Sequence, residues 1–146
     1  MGDFFPHASL GLLAKRAQQA LRVALDAALA DAGLTTAQYA TMAAVAEEPG
    51  LSNADLARRV FVTPQTMHGV VRGLSGAGWV ERTRGDGRTV EIRLTDAGRS
   101  TLAQGHRAAA DVERRMTAGL GCAEVEATRA ALLECCRALE VVKSSA

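Results

Sequence analysis

Aromatic residues are scarce in this chain: three phenylalanines, one tyrosine and one tryptophan make up 3% of 146 residues. A core so poor in large rings must be thin and helical. It draws instead on the many alanines among the apolar residues, which reach 48%. A thin alanine-rich core often completes itself by pairing with a second copy. No run of about 18 apolar residues occurs, so no membrane-spanning helix is expected. The opening MGDFFPHASLG has neither the basic stretch nor the apolar stretch of a secretory signal, and the expected compartment is the cytoplasm. Cys122, Cys135 and Cys136 are an odd set and give no disulfide framework. His7, His68 and His106 lie far apart, with no carboxylate or cysteine at ligand spacing, so neither a metal nor a cofactor is expected. Nucleophile–base pairs, phosphate-cradling glycine loops and paired carboxylates are all missing, which argues against an enzyme.

What is present is unevenly distributed. The net charge is only +1, but residues 52–99 carry eight arginines against five acids, while residues 1–51 are net negative. All the basicity of the central stretch is arginine, whose planar donor fork suits phosphate and guanine.

That stretch contains the most informative run, Val62 to Leu94. Thr63 before Pro64 is a helix start: the hydroxyl caps a free N–H, and proline at the first position loses no bond. Val70, Val71 and Leu74 form the inner stripe of the helix that follows, leaving Gln65, Thr66, His68 and Arg72 for a partner. Gly76 and Gly78 stop it. Trp79–Arg84 and Thr89–Leu94 then alternate apolar and polar residues as half-buried strands do, around the turn Gly85-Asp86-Gly87-Arg88. Upstream, Ser52 with Asp55 is a capping pattern for a helix whose inner face is Leu56, Ala57 and Val60, with Phe61-Val62 as the turn. Two short helices and a basic-tipped hairpin predict a winged helix-turn-helix, a shape that reads DNA.

The flanks predict long helices. Ala8–Ala32 carries Leu10, Leu13, Ala17, Leu21, Ala24 and Ala28 on one side, and Leu12, Leu25 and Leu29 widen the stripe enough for burial against two neighbours. Gly33 ends it, and a further helix runs from a cap at Thr36 to about Glu48, before Pro49-Gly50. Thr95 caps a helix with sparse apolar positions that extends to about Gly119, and a last helix covers Cys122–Val142. The expected fold is mainly α: a DNA-binding winged helix-turn-helix over residues 34–99 with a small antiparallel hairpin, flanked by terminal dimerisation helices over 1–33 and 100–146.

With these residues in hand, the chain resembles the MarR family of bacterial transcriptional regulators. The resemblance rests on LSNADLARRV, then TPQTM, then GWVERTRGDGRTVEIRLTDAGR, with Asp86-Gly87-Arg88, Leu94-Thr95 and Gly98 its most specific part. It implies a homodimer on double-stranded DNA at a pseudo-palindromic operator, with Arg88 in the minor groove and Asp86 supporting the wing. It also implies recognition-helix roles for Thr63, Gln65, Thr66, His68 and Arg72. The wing is shorter than the family's usual one, which bears on Arg84. A pocket for a small aromatic or phenolic effector is implied between the dimerisation helices and the reading domain, with Phe5, His7, Arg16, Tyr39 and Met42 as candidates.

Residue chemistry divides the expected DNA contacts. Gln65, Thr66 and His68 are base readers, because glutamine pairs bidentately with adenine and threonine meets a thymine methyl. Ser52 and Arg72 hold phosphates. Two alternatives stay open: a winged-helix module for protein–protein contact, and a redox-responsive regulator using Cys122, Cys135 or Cys136, although free cysteine more commonly packs as a small hydrophobe.

Overall fold

The structure is a computed structural model that describes residues 9–85 and 90–140. Its order is α1 (Leu10–Leu29), a 3-10 turn (Ala30–Ala32), α2 (Thr36–Glu47), α3 (Asn53–Val60), α4 (Pro64–Gly76), β1 (Val80–Arg84), β2 (Val90–Leu94), α5 (Asp96–Thr117) and α6 (Cys122–Glu140). The strands form one antiparallel pair, with Val80 opposite Leu94 and Arg84 opposite Val90. The architecture is the mainly α winged helix-turn-helix that the sequence predicts. Among the described residues no helix is long and apolar enough to cross a membrane.

The chain divides into two compact units, Met1–Val112 and Glu113–Ala146. In the first, Leu29, Met42, Leu56, Met67, Val71 and Leu74 are fully buried, joined by Val80, Ile92, Leu94 and Leu102. Met67, beside Val71 and Leu74, takes the core position where the stripe predicts Val70, which is half-buried. The two halves of α1 differ: Leu21, Ala24, Leu25 and Ala28 are partly covered and Leu29 is buried, but every residue from Leu10 to Ala20 is exposed. In the second unit no residue of α6 is buried, and Met116, Leu120, Leu132, Leu133 and Leu139 present apolar surface to solvent.

Local chemistry explains the boundaries. Ser9 caps α1, and Gly33 adopts the left-handed conformation (φ 70°) behind the 3-10 turn. Thr35, not the expected Thr36, caps α2, because Gln38 three residues on completes a capping box. Thr36 is left to donate its N–H (3.1 Å) and hydroxyl (2.6 Å) to Asp26 of α1. Gly98 lies under the root of the wing: a Cβ there would overlap the Trp79 carbonyl oxygen and stand 2.9 Å from its carbon. Thr95 completes that joint, donating its N–H to the Trp79 carbonyl (3.1 Å) and its hydroxyl to that of Gly78 (2.6 Å).

Candidate nucleic-acid interface

Helix α4 is built to show one edge. Its caps work as the Thr-Pro pair predicts: the Thr63 hydroxyl accepts from the Thr66 N–H (3.1 Å), with Pro64 at the first helical position. Met67, Val71 and Leu74 hold the opposite side in the core, so Gln65, Thr66, His68 and Arg72 all stand exposed. Thr63 also donates its hydroxyl to that of Thr66 at 2.9 Å, which orients the Thr66 side chain on the exposed edge. Asn53 steadies α4 from α3, donating its side-chain amide to the Pro64 carbonyl (3.1 Å). Ser52 caps α3: its oxygen accepts from the Asp55 N–H (3.2 Å) and donates to the Asp55 carboxylate (2.6 Å). The half-buried Ser52 hydroxyl is therefore committed within the chain.

The arginines of this region fall into two sets. Arg58 holds Asp55, Arg59 spans Glu47 and Glu48 (2.7 Å each), Arg93 holds Glu91 (2.8 Å) and Arg99 holds Asp96 (2.6 Å). Arg72, Arg82 and Arg84 are exposed and make no ion pair with any described residue. Hydrogen bonding from the Ser52 side chain holds the Asp55 carboxyl below its ordinary range, against an opposing effect of burial. The Arg59 guanidinium is pushed up, first by its bond to Glu47. The arginines with no ion pair among the described residues thus sit on the recognition helix and the wing. Arg88 and Asp86, both assigned to the wing from sequence, lie outside the described residues.

The effector candidates scatter. Tyr39 is half-buried, and its hydroxyl meets His106 Nδ1 at 3.0 Å in an edge-on ring contact. Burial raises the Tyr39 phenol above its usual range. Met42 is fully buried in the core, Arg16 is exposed on α1, and Phe5 and His7 lie outside the described residues. Cys122 and Cys136 are exposed and Cys135 half-buried, all unpaired. Among the described residues no group of three or more His, Cys, Asp or Glu side chains could hold a metal. Sequence reasoning missed His106 as a partner for Tyr39 and Asp26 as the holder of α2, because neither pairing follows a spacing within one helix.

A capped helix with an exposed polar edge, a second helix bracing it and a two-stranded wing define a winged helix-turn-helix protein. The sequence profile of the MarR family matches residues 32–89. The HTH-type transcriptional repressor Rv2887 of Mycobacterium tuberculosis H37Rv is 36% identical over 115 residues, covering 77% of this chain and 83% of that protein. The crystal structure of M. tuberculosis MarR family protein Rv2887 with salicylic acid superposes with a TM-score of 0.75 at 33% identity, covering 88% of this chain and 97% of that one. The structure of Rv2887 with DNA gives 0.74 at 31%, covering 87% and 97%. The chain belongs to the MarR family of winged helix-turn-helix transcriptional regulators.

Proposed function

We propose that this protein is a homodimeric, cytoplasmic repressor that binds a pseudo-palindromic DNA operator and releases it on binding a small aromatic acid. It is a binding protein and not an enzyme. The observation that carries this reading is the exposed edge of α4, where Gln65, Thr66, His68 and Arg72, with no ion pair to a described residue, stand together above a buried core face. Gln65, Thr66 and His68 read base edges, and Thr63 presents the helix N-terminus to a phosphate. Arg72 holds phosphate, and Arg84 and Arg88 serve the wing with Asp86 in support. Ser52 contributes by fixing the start of α3. The domain division follows: residues 34–99 read DNA, and 1–33 with 100–146 dimerise. Exposed Leu10, Leu12, Leu13 and Val23 on α1, and exposed Leu132, Leu133 and Leu139 on α6, are the apolar surface a second copy covers. Relatives crystallised with DNA and with salicylic acid support the two ligands.

The test is a titration against DNA upstream of the protein's own gene at several salt concentrations, with and without sodium salicylate. A dimer neutralising six phosphates gives a log–log salt slope of about −5. Binding no tighter than to random DNA, or a slope near zero, would refute the reading.

A further inference from the structure

The core holds the inner half of the hairpin and not the outer half. Val80, Ile92 and Leu94 are buried, whereas Val90 and its cross-strand neighbour Arg84 are exposed. A lone pair of strands is marginally stable in water and twists strongly, so the lean of its outer half needs a fixed point. Cross-strand pairing puts Arg82 and Arg84 on the same face as Val80, Ile92 and Leu94. The opposite face carries Glu81, Thr83, Glu91 and Arg93.

Three contacts converge on Glu91 there. Its Oε2 accepts from the Arg93 guanidinium at 2.8 Å, two residues on along the same face. The loop between α2 and α3 runs beside β2, where the Gly50 N–H donates to the Ile92 carbonyl (3.4 Å). A Cβ on Gly50 would stand 3.5 Å from the Glu91 carboxyl carbon. At the end of β1, a Cβ on Gly85 would stand 2.9 Å from that same carbon and 2.6 Å from Oε1. The two glycines have different causes. Gly50 has a φ of 94°, which selects glycine by itself. Gly85 is not in the left-handed region, so its backbone does not ask for glycine. What excludes a side chain at 85 is the Glu91 carboxyl group.

We propose that Glu91 is the positioning residue of the wing. Its carboxyl group, held by Arg93, is a seat between the α2–α3 loop and Gly85 that sets the lean of the outer hairpin. Arg84 is placed on DNA through that seat, and preference for bases at the operator positions under the wing depends on it. This deepens the regulator reading above and rests on it for the DNA response, but not for the seat itself. Gly85→Ala and Glu91→Ala break the seat from its two sides. The methyl at 85 drives out the carboxyl group, whose flexible end escapes only by leaving Arg93, and alanine at 91 removes the group outright. Glu91→Gln keeps the size and an oxygen for the Arg93 guanidinium.

The experiment uses the full chain as wild type, Glu91→Ala, Glu91→Gln, Gly85→Ala and the double variant Gly85→Ala/Glu91→Ala. Without DNA, tryptic cleavage after Arg82 and Arg84 is timed, since it follows the population of the opened wing. Cleavage after Arg107 within α5 is the control for global opening and should keep its wild-type rate. Each single alanine variant is expected to speed wing cleavage about tenfold, the worth of one charge-assisted hydrogen bond. Glu91→Gln should stay within about threefold of wild type. The double variant should be no faster than either single one, because both remove one interaction. With DNA, each protein selects from a fully randomised duplex library. Glu91→Ala should lose preference at the outer positions and keep it at those read by α4, and Glu91→Gln should keep both. Wing cleavage that does not change, that rises in step with cleavage after Arg107, or whose increases multiply in the double variant overturns the seat. Equal loss of preference at all positions, or none, overturns the role in specificity. The expected cleavage pattern in a protein whose wild type selects no sequence would sustain the seat and refute the regulator reading alone.

Discussion

Gly98→Ala should be among the most damaging single-methyl changes in the protein. The added Cβ overlaps the Trp79 carbonyl oxygen and stands 2.9 Å from its carbon and 3.2 Å from its Cα, all backbone atoms with no rotamer to yield. Either the first turn of α5 lifts or the root of β1 moves. Either shift disturbs the Thr95 bonds to the Trp79 and Gly78 carbonyls. Overpacking costs about 1–3 kcal/mol and each compromised bond about 1 kcal/mol, so the expected loss is about 3–5 kcal/mol. For a chain this size that lowers Tm by on the order of 10 °C. Gly69→Ala is the matched control: the same methyl on the exposed side of α4 meets nothing within 4 Å. It should raise stability by about 0.5–1 kcal/mol through helix propensity alone. Denaturant unfolding of both variants checks the pair. A Gly98→Ala loss below about 1 kcal/mol would mean that the joint is pliant and the reasoning wrong.

Gln65→Ala should cost about 1–3 kcal/mol of operator affinity and relax one base position, whereas Arg72→Ala should weaken binding to every sequence and shallow the salt slope by about 0.9. Binding selections on randomised operators separate the two, and equal loss on all sequences from both changes would defeat the division. The bonds from Thr36, the hydroxyl first, hold the Asp26 carboxyl below the ordinary carboxylate range, against an opposing effect of burial. That contribution to stability is complete above the unfolded pKa of about 4 and is lost as pH falls through the lower folded value. Asp26→Asn should therefore flatten the acid limb of a stability–pH curve and leave the neutral-to-alkaline limb in place. Arg59→Ala releases Glu47 and Glu48 from an exposed pair of bonds and should lower stability only slightly, a penalty that disappears in 1 M salt.

The winged fold was legible because its signals are local. Thr63-Pro64, the Ser52–Asp55 spacing and two alternating runs about a glycine turn each act within a few residues. The cap of α2 has a local signal too, since Thr35 stands three residues before Gln38 at the spacing of a capping box. Other contacts left no local trace. Tyr39 finds His106 and Thr36 finds Asp26 only once the helices are placed, whereas Met67, four residues before Val71 and seven before Leu74, lies at the centre of the buried face with Val70 at its edge. Phe61 is harder still. Nothing in its neighbours marks a position that needs a left-handed backbone, because the usual marker is glycine.

The joint at Thr95 and Gly98 has a mechanical consequence. It grips the hairpin at its root, where Val80 faces Leu94, directly behind the last turn of α4. A hairpin held so is a beam clamped at one end, and a load anywhere along it arrives as torque at the Gly78 and Trp79 carbonyls. On DNA, the width of the groove felt by the wing and the bases met by α4 would then be one coupled measurement. A site correct in sequence but wrong in shape would be rejected through the clamp.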